Sequence, residues 1–175
     1  TTSLTLHIGL GAASLAALVG CTSITSAEPE HKETVCRFSP LPPLRVLRPN
    51  ANLEICFDTR TRNAVYVQHR VIVLNDGETT GRGRRPRFKE EPTIEEHFRS
   101  RNNHFHLSGY DRGHLAPAAD FSWDTQLLEH TFNLCNVSPQ DSEMNRTIWA
   151  FLELWTRRVA QKAWKSHRAV TYVTT

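Results

Sequence analysis

Cysteine is scarce in this sequence, and no two cysteines have the spacing of a metal-binding or redox motif. The 175 residues contain four cysteines, at positions 21, 36, 56 and 135, and no pair forms C-x-x-C. This pattern argues against a disulfide framework, a zinc ribbon and a thioredoxin-like site. With 39% hydrophobic and 22% charged residues, the composition excludes wholesale disorder and a polytopic membrane protein.

The first 27 positions contain no Asp, Glu, Lys or Arg. Their apolar stretch, Leu4–Val19, is about 16 residues long, which is short for a membrane span but typical of a targeting or anchor leader that contacts a membrane. Two cellular destinations are compatible with this segment. A mitochondrial presequence needs basic residues upstream, and the segment 18–21 (LVGC) resembles a bacterial lipoprotein cleavage box. A buried apolar helix is a third interpretation, which the glycines of the segment weaken.

Residues 28–51 are polar and then proline-rich, and we predict that they form a linker. A single folded domain is expected over 52–175. It begins with a strand at Leu53–Asp58 that forms a hairpin with Ala64–Leu74. The chain lacks an initiator Met and stops within a β-branched segment, Val170–Thr175, that reads as a strand. We therefore expect that the C-terminal part of the domain is missing.

The remaining elements indicate a mixed α+β domain. We expect Trp149, Phe151 and Trp155 to pack into the core. The predicted elements are a short helix at Thr93–Arg99, a helix capped by Ser122 and running through His130, a short strand at Phe132–Val137, and a long helix at Met144–Lys165 with apolar residues at intervals of three and four.

A dense basic cluster lies between the hairpin and the rest of the domain. It comprises Arg82, Arg84, Arg85, Arg87 and Lys89. The stretch has no hydrophobic period, which predicts a loop. Two interpretations remain open: a solvated, flexible insertion, or a surface whose arginines bind the phosphates of a nucleic acid.

An acid, a permanent cation and a titratable imidazole occur within four residues, Asp111-Arg112-Gly113-His114. A histidine of near-neutral pKa can deprotonate water, and an arginine can neutralise the charge that develops on a phosphate. Gly113 permits a tight backbone turn that aims both side chains at one point. A purely structural, hydrogen-bonded turn is the alternative for this tetrapeptide.

A second set of polar residues lies along the long helix. On a straight helix, Asn145 and Glu153 are about 12 Å apart along the axis and about 80° apart around it. They cannot both ligate one ion unless the helix begins irregularly, so we expect Asn145 to be the inner ligand and Glu153 to hold metal-bound water, as suits Mg²⁺. The alternatives are a helix cap for Asn145 and an i,i+4 ion pair with Arg157 for Glu153.

Four segments, in the right order, resemble the DNA/RNA non-specific endonuclease family of the ββα-metal (His-Me finger) class. The segment 109–120 (GYDRGHLAPAAD) looks like the family's signature, and 132–140 (FNLCNVSPQ) resembles its next block. The segment 145–153 (NRTIWAFLE) is similar to the metal-binding helix. Upstream, 56–64 (CFDTRTRNA) resembles the early hairpin of the endonuclease G-like branch. The resemblance covers about residues 53–175.

The resemblance implies a role for each matching position. His114 matches the general base that activates water, Asn145 the metal ligand, and Glu153 the acid that orients metal-bound water. Asn136 occupies the position of a second active-site asparagine. We expect Arg112 and Arg157 to contact phosphate and Asp111 to support the site from behind.

The resemblance further implies a Mg²⁺-dependent hydrolase, with Mn²⁺ as a substitute, that cleaves the phosphodiester bonds of DNA and RNA and leaves a 5′-phosphate. Its partners are the backbones of both nucleic acids, with a homodimer as a further expectation. The mitochondrial intermembrane space or inner membrane is the expected compartment, and a bacterial envelope or secreted nuclease is the alternative. A nucleic-acid-binding module that does not cleave is the competing function.

Overall fold

The computed structural model describes residues 3–7, 18–22, 44–73 and 85–175. Six strands form the main sheet, in the order β2-β1-β8-β5-β4-β3. In chain order, these strands are β1 (Ser3–His7), β2 (Leu18–Thr22), β3 (Arg45–Asn50), β4 (Leu53–Asp58), β5 (Asn63–Val71) and β8 (Val170–Thr174). Neighbouring strands are antiparallel, except that β1 runs parallel to β8.

A separate two-stranded antiparallel hairpin consists of β6 (Asp111–His114) and β7 (Val137–Gln140). Helix α1 (Thr125–Thr131) lies between these strands in the chain. After β7 come α2 (Ser142–Met144), a π-helical turn (Asn145–Trp149) and α3 (Ala150–His167), one directly after another. Strands and helices together confirm the α+β class. Within the described residues, no helix is both long and apolar enough to cross a bilayer.

The main core lies between β4, β5 and the segment that follows β6. Ile55 and Phe57 of β4 and Val67 of β5 are fully buried, since alternate residues of a strand point to one face. Leu115 and Ala116, directly after the site hairpin, pack into the same cluster. The end of β6 is therefore anchored in the most tightly packed part of the domain.

Two predicted boundaries of the domain differ from the structure. Strand β3 lies within 28–51, the predicted linker, and pairs with β4. Its proline, Pro49, suggested a linker, but β3 is an edge strand, where proline is tolerated because one side of the strand makes no ladder hydrogen bonds. Strands β1 and β2 lie in the predicted leader, 1–27, and the helix interpretation is wrong for both. The leader assignment itself stays a prediction.

The hairpin of β4 and β5 and the last strand, β8, confirm the sequence predictions, although β5 spans Asn63–Val71. Positions 74–84, at the end of the predicted hairpin, lie outside the described residues. The predicted helix at Thr93–Arg99 is only a 3₁₀ turn, Glu96–Phe98. The strand predicted at Phe132–Val137 is wrong, because Asn133 accepts a hydrogen bond from the amide of Cys135 and starts a 3₁₀ turn before β7.

The long helix is confirmed in position, but one of its expected core residues is wrong. Trp149 is 5% exposed, whereas Phe151 is 65% exposed. Trp155 packs against a second, smaller apolar cluster that includes Val71 and Val173. The fully buried positions of α3 are Thr156 and Ala160, so the face that packs inward is not the one on which Phe151 lies.

Asp124, and not Ser122, caps helix α1. The Asp124 carboxylate accepts hydrogen bonds from the backbone amides of Gln126 at 2.8 Å and Leu127 at 3.0 Å. We predict that Asp124→Ala lowers the free energy of unfolding by about 1 kcal/mol, because both amides lose their partner. Urea unfolding followed by circular dichroism measures this. Ser122→Ala, which removes the predicted cap, should cost less, and an equal loss in both variants would contradict the assignment.

Candidate active site

The β6–β7 hairpin and the start of the helical segment position three of the sequence-predicted residues, Asp111, His114 and Asn145. His114 is the last residue of β6, opposite Val137 of β7. Its backbone carbonyl accepts a hydrogen bond of 3.0 Å from the indole of Trp149, which holds the helical segment against the hairpin. A Cβ at Gly113 would overlap the buried side chain of Gln140. Glycine at position 113 therefore leaves the space that the Gln140 side chain occupies.

The imidazole of His114 is enclosed by aromatic rings. His114 is only 8% exposed. Its ring centroid lies 4.8 Å from that of Phe132 and 5.2 Å from that of Phe88. Burial, with a further contribution from the nearby charge of Arg85, lowers the pKa of His114 to about 4. The imidazole is therefore neutral at physiological pH, which is the state that can accept a proton.

A hydrogen bond joins Asn145, at the start of the helical segment, to Asp111, at the start of β6. The side-chain amide of Asn145 donates a hydrogen bond of 3.1 Å to Asp111 Oδ2. Arg146 donates to both oxygens of the same carboxylate, at 3.1 and 3.2 Å. Hydrogen bonds from Asn145, Ser142 and Arg146 lower the pKa of Asp111, so its carboxylate is charged. Since Asn145 uses its nitrogen to bind Asp111, its carbonyl oxygen remains as a donor for a cation.

The donor set fits a hard, well-hydrated cation. No group of three or more His, Cys, Asp or Glu within the described residues has the geometry of a metal site. Mg²⁺ commonly keeps several water molecules and takes only one or two protein oxygens, which the Asn145 carbonyl oxygen can supply.

A cavity of about 740 Å³ adjoins these groups, and it is rich in arginine. Arg112, predicted from the sequence, donates a hydrogen bond of 2.7 Å to Asn102 and extends along the cavity wall. The lining residues are Arg85, Pro86, Arg87, Phe88, Asn102, Asp111, Arg112, Asn145 and Arg146. Four guanidinium groups against one carboxylate give the cavity a net positive charge, which suits a polyanionic ligand.

The basic cluster of the sequence is divided by the structure. Arg85 and Arg87 line the cavity, while Arg82 and Arg84 lie outside the described residues. Lys89 faces elsewhere and forms an exposed ion pair with Glu129 at 2.9 Å. The phosphate-binding interpretation therefore has structural support at Arg85 and Arg87, and it stays a prediction for the other two arginines.

Asn136 lies beneath the site and is fully buried. Its side-chain oxygen accepts a hydrogen bond from the amide of Ala116, and its nitrogen donates to the carbonyls of Ala116 and Thr131, at 2.9–3.0 Å. All three bonds go to the backbone. In this structure the amide joins the segment after His114 to the end of α1.

Glu153 and Arg157 lie on α3, away from the arginine-rich cavity. Glu153 borders a separate small cavity with Leu115 and Trp149, so the structure does not bring it together with Asn145 around one cavity. Burial raises the pKa of Glu153 to about 7. Arg157 donates to Asp120 at 2.8 Å, so its ion-pair partner is Asp120 and the alternative of a Glu153–Arg157 ion pair is wrong.

Sequence reasoning missed Asp120, His69 and Phe88. The Asp120 side chain is fully buried and also contacts His69 Nε2 at 2.8 Å. Asp120 ends the signature segment, so an acid there was visible, but its partners come from β5 and α3. Phe88 was visible only as an aromatic residue within the basic cluster. No local signal could show that it packs on a histidine 26 positions later in the chain.

The buried amide of Asn136 gives a stability prediction. We expect Asn136→Ala to lower the free energy of unfolding by about 1–3 kcal/mol, because buried backbone groups of Ala116 and Thr131 lose their partners. Urea unfolding measures the change. Asn145→Ala is the matched control, since Asn145 is only partly buried, and it should cost under about 1 kcal/mol. A larger loss in Asn145→Ala would contradict this account.

The raised pKa of Glu153 gives a pH-dependent prediction. A carboxyl group whose pKa is raised in the folded state stabilises it fully below the unfolded value, and this contribution is lost as pH rises towards about 7. Glu153→Gln mimics the protonated form. We therefore expect it to be more stable than the parent chain at pH 8 by on the order of 1 kcal/mol, and similar at pH 4.5. Urea unfolding in EDTA at both pH values tests this, and equal effects at the two would contradict it.

Comparison with known proteins identifies the family of this chain. The family model described as DNA/RNA non-specific endonuclease matches residues 38–175. Human "Endonuclease G, mitochondrial" is 35% identical over 123 residues, covering 69% of this chain and 40% of that protein. The "Mitochondrial nuclease" of Saccharomyces cerevisiae is 35% identical over 130 residues, covering 74% and 39%. The chain thus spans about two fifths of the length of these two relatives.

A crystal structure of the EndoG/EndoGI complex is similar to this fold, with a TM-score of 0.57 and 30% identity. The similarity covers 67% of this chain and 48% of that chain. Strands β6 and β7 and the helical segment after them form the ββα arrangement that the family resemblance implies. With a family model that covers most of its residues and relatives of this identity, the chain belongs to the DNA/RNA non-specific endonuclease family, in the endonuclease G-like branch.

Proposed function

We propose that this protein is a metal-dependent, sugar-non-specific endonuclease that hydrolyses phosphodiester bonds of DNA and RNA. The observation that carries the proposal is a neutral, enclosed His114 whose ring contacts Phe88 in the wall of a cavity that four arginines and the Asn145–Asp111 pair line. This combination supplies a base for water, positive charge for a phosphate and an oxygen ligand for a cation. The family membership and the named nucleases among the relatives support it.

His114 acts as the general base in this proposal. Its neutral imidazole takes a proton from the attacking water as the new P–O bond forms and the bond to the 3′ oxygen breaks, which leaves a 5′-phosphate. The low pKa keeps the base unprotonated over a wide pH range. Because the imidazole is largely covered by rings, few competing hydrogen bonds from bulk water reach it.

The arginines hold the substrate. Arg112, Arg85 and Arg87 lie where a phosphodiester would enter the cavity, and each guanidinium can neutralise part of its charge. Backbone phosphates carry no base information, so contacts of this kind do not distinguish sequences. Arg157 is engaged with buried Asp120, and we assign it and Glu153 supporting roles on α3.

Asn145 would hold a Mg²⁺ ion, with Mn²⁺ as a substitute. When bound, the ion stabilises charge on the phosphate and the leaving oxygen. Asp111 fixes the Asn145 amide so that its carbonyl oxygen is available. Asp111 thereby supports the ligand without being one, and Arg146 holds Asp111 in place.

The compartment and the partners belong to the same proposal. The mitochondrial names of several relatives support a mitochondrial nuclease. A homodimer and a membrane contact by segment 1–27 stay predictions, as do the bacterial envelope and secreted alternatives. Asn136 stays the predicted second asparagine of the site, with the supporting contacts described above.

Nicking of supercoiled plasmid by the purified full chain tests the proposal. In Mg²⁺ buffer we expect nicking that EDTA abolishes and that His114→Ala reduces by about 100-fold or more, because general bases contribute 10²–10⁴ in rate. His97→Ala, which removes an exposed histidine in the 3₁₀ turn, is the matched control and should retain full activity.

The same preparation separates the competing function. Salt-dependent binding of an oligonucleotide without any cleavage, unaffected by His114→Ala, would indicate a binding module and overturn the proposal. Cleavage that persists in EDTA would refute the metal requirement. Cleavage of both DNA and RNA oligonucleotides is expected, and restriction to one of them would refute sugar non-specificity.

A further inference from the structure

The ring of Phe88 lies between the predicted base and a predicted phosphate-binding arginine. Its centroid is 5.2 Å from that of the His114 imidazole, at a tilt of 42°. The guanidinium of Arg112 lies over the Phe88 ring at 5.0 Å, which is cation–π distance. One side chain therefore contacts both groups that the proposed reaction needs in register.

Phe132 extends this arrangement to a pair of rings. It packs edge-on against His114 at 4.8 Å and contacts Phe88 at 5.0 Å. The guanidinium of Arg85 lies over Phe132 at 5.6 Å. Phe132 is fully buried at the end of α1, whereas Phe88 lies at the cavity wall and is only partly buried. Phe88 is therefore the ring that can be changed with the smaller effect on the core.

Arg112 depends on this ring for its placement. Its side chain is exposed, and no carboxylate in the described part of the chain forms an ion pair with it. Its recorded contacts are the hydrogen bond to Asn102 and the face of Phe88. An arginine held by a neutral amide and a ring keeps its full charge for a phosphate, which a carboxylate partner would partly neutralise.

We propose that Phe88 is a positioning residue, which holds Arg112 and His114 in register for one phosphodiester by contacting both. This inference rests on the proposed function and deepens it. The ring also excludes water from one side of the imidazole. Loss of the ring therefore has two separable consequences: weaker placement of Arg112 and greater solvation of His114.

The groups around His114 determine the direction in which its pKa moves when the Phe88 ring is lost. Phe88, Phe132 and the indole of Trp149 are uncharged, and Arg85 is the charged group that acts on the imidazole. Replacing Phe88 with leucine admits water and leaves Arg85 in place. The pKa of His114 then rises towards its ordinary value. Since the base must be neutral, the acid limb of the activity profile moves to higher pH.

Three single variants at Phe88 and Phe98 test this inference in the full chain, together with Arg112→Ala alone and Arg112→Ala combined with Phe88→Leu. Phe88→Leu removes the ring and keeps an apolar side chain, and Phe88→Tyr retains the ring. Phe98→Leu is the matched control, because Phe98 is also a partly buried phenylalanine that packs on the main core but neither lines the cavity nor makes a ring contact with His114. Phe88→Leu combined with Arg112→Ala separates the two effects.

The measurements are oligonucleotide affinity in EDTA, KM and kcat against pH in Mg²⁺, and the NMR titration of His114. In Phe88→Leu we expect affinity to fall and KM to rise by about 3- to 10-fold. We also expect the acid limb and the His114 titration to move up by about one pH unit. Phe88→Tyr should retain the parent values. In the Arg112→Ala background the affinity effect of Phe88→Leu should vanish, while the shift in titration persists.

Phe88→Leu values equal to the parent in both affinity and titration would overturn the inference. The same changes in Phe98→Leu would overturn it too, because they would reflect general loosening. Affinity and titration need no turnover, so both can be scored in a chain that does not cleave. Absence of cleavage in the parent chain would refute the proposed function and leave these two readouts to decide the role of Phe88.

Discussion

Three hydrogen bonds join Asn136 to Leu115 and Ala116, the two residues that follow β6, and the arrangement around His114 depends on them. Two of these bonds use the Asn136 amide, and a third joins the amide of Leu115 to the Asn136 carbonyl at 3.0 Å. They lie in the core, where water cannot replace them. His114 is thus attached to a buried, fully hydrogen-bonded segment of the core.

Burial and ion pairing determine which side chains near the site carry a charge that a ligand can use. Two acidic side chains of this region already have partners. Asp111 accepts hydrogen bonds from Asn145 and Arg146. Asp120 pairs with Arg157 and His69. Of the cavity arginines, Arg146 pairs with Asp111, while Arg85, Arg87 and Arg112 form no ion pair with a carboxylate in the described residues. His114, which could have added another positive charge, stays neutral because the rings exclude water from it. A phosphate entering the cavity therefore meets donors whose charge is already in place, with little reorganisation required.

The sequence indicates the parts of this structure whose signals are local. Strands β4 and β8 have β-branched and apolar residues in short runs, and the long helix has a clear apolar spacing, so each was predicted close to its position. Strand β6 was missed because its four residues contain glycine and two charges, and only pairing with β7 makes them a strand. Asp111, Arg112, His114 and Asn145 were candidates from their side-chain chemistry alone, and the family resemblance then implied a role for each. Phe88 was not a candidate, because its role is set by packing between distant segments, which no spacing rule reports.

The π-helical turn at Asn145–Trp149 constrains the number of residues between two side chains that are each held by a hydrogen bond. Each residue of an α-helix rotates the next by about 100°. Trp149 is fixed beneath the hairpin by its bond to His114. If one residue were deleted from the turn, it would close into an ordinary α-helix and Asn145 would rotate away from Asp111, or Trp149 would leave its pocket. The extra residue thus allows one helical segment to make both the Asn145–Asp111 hydrogen bond and the Trp149–His114 hydrogen bond. Insertions and deletions in this turn should therefore be less common among family members than substitutions.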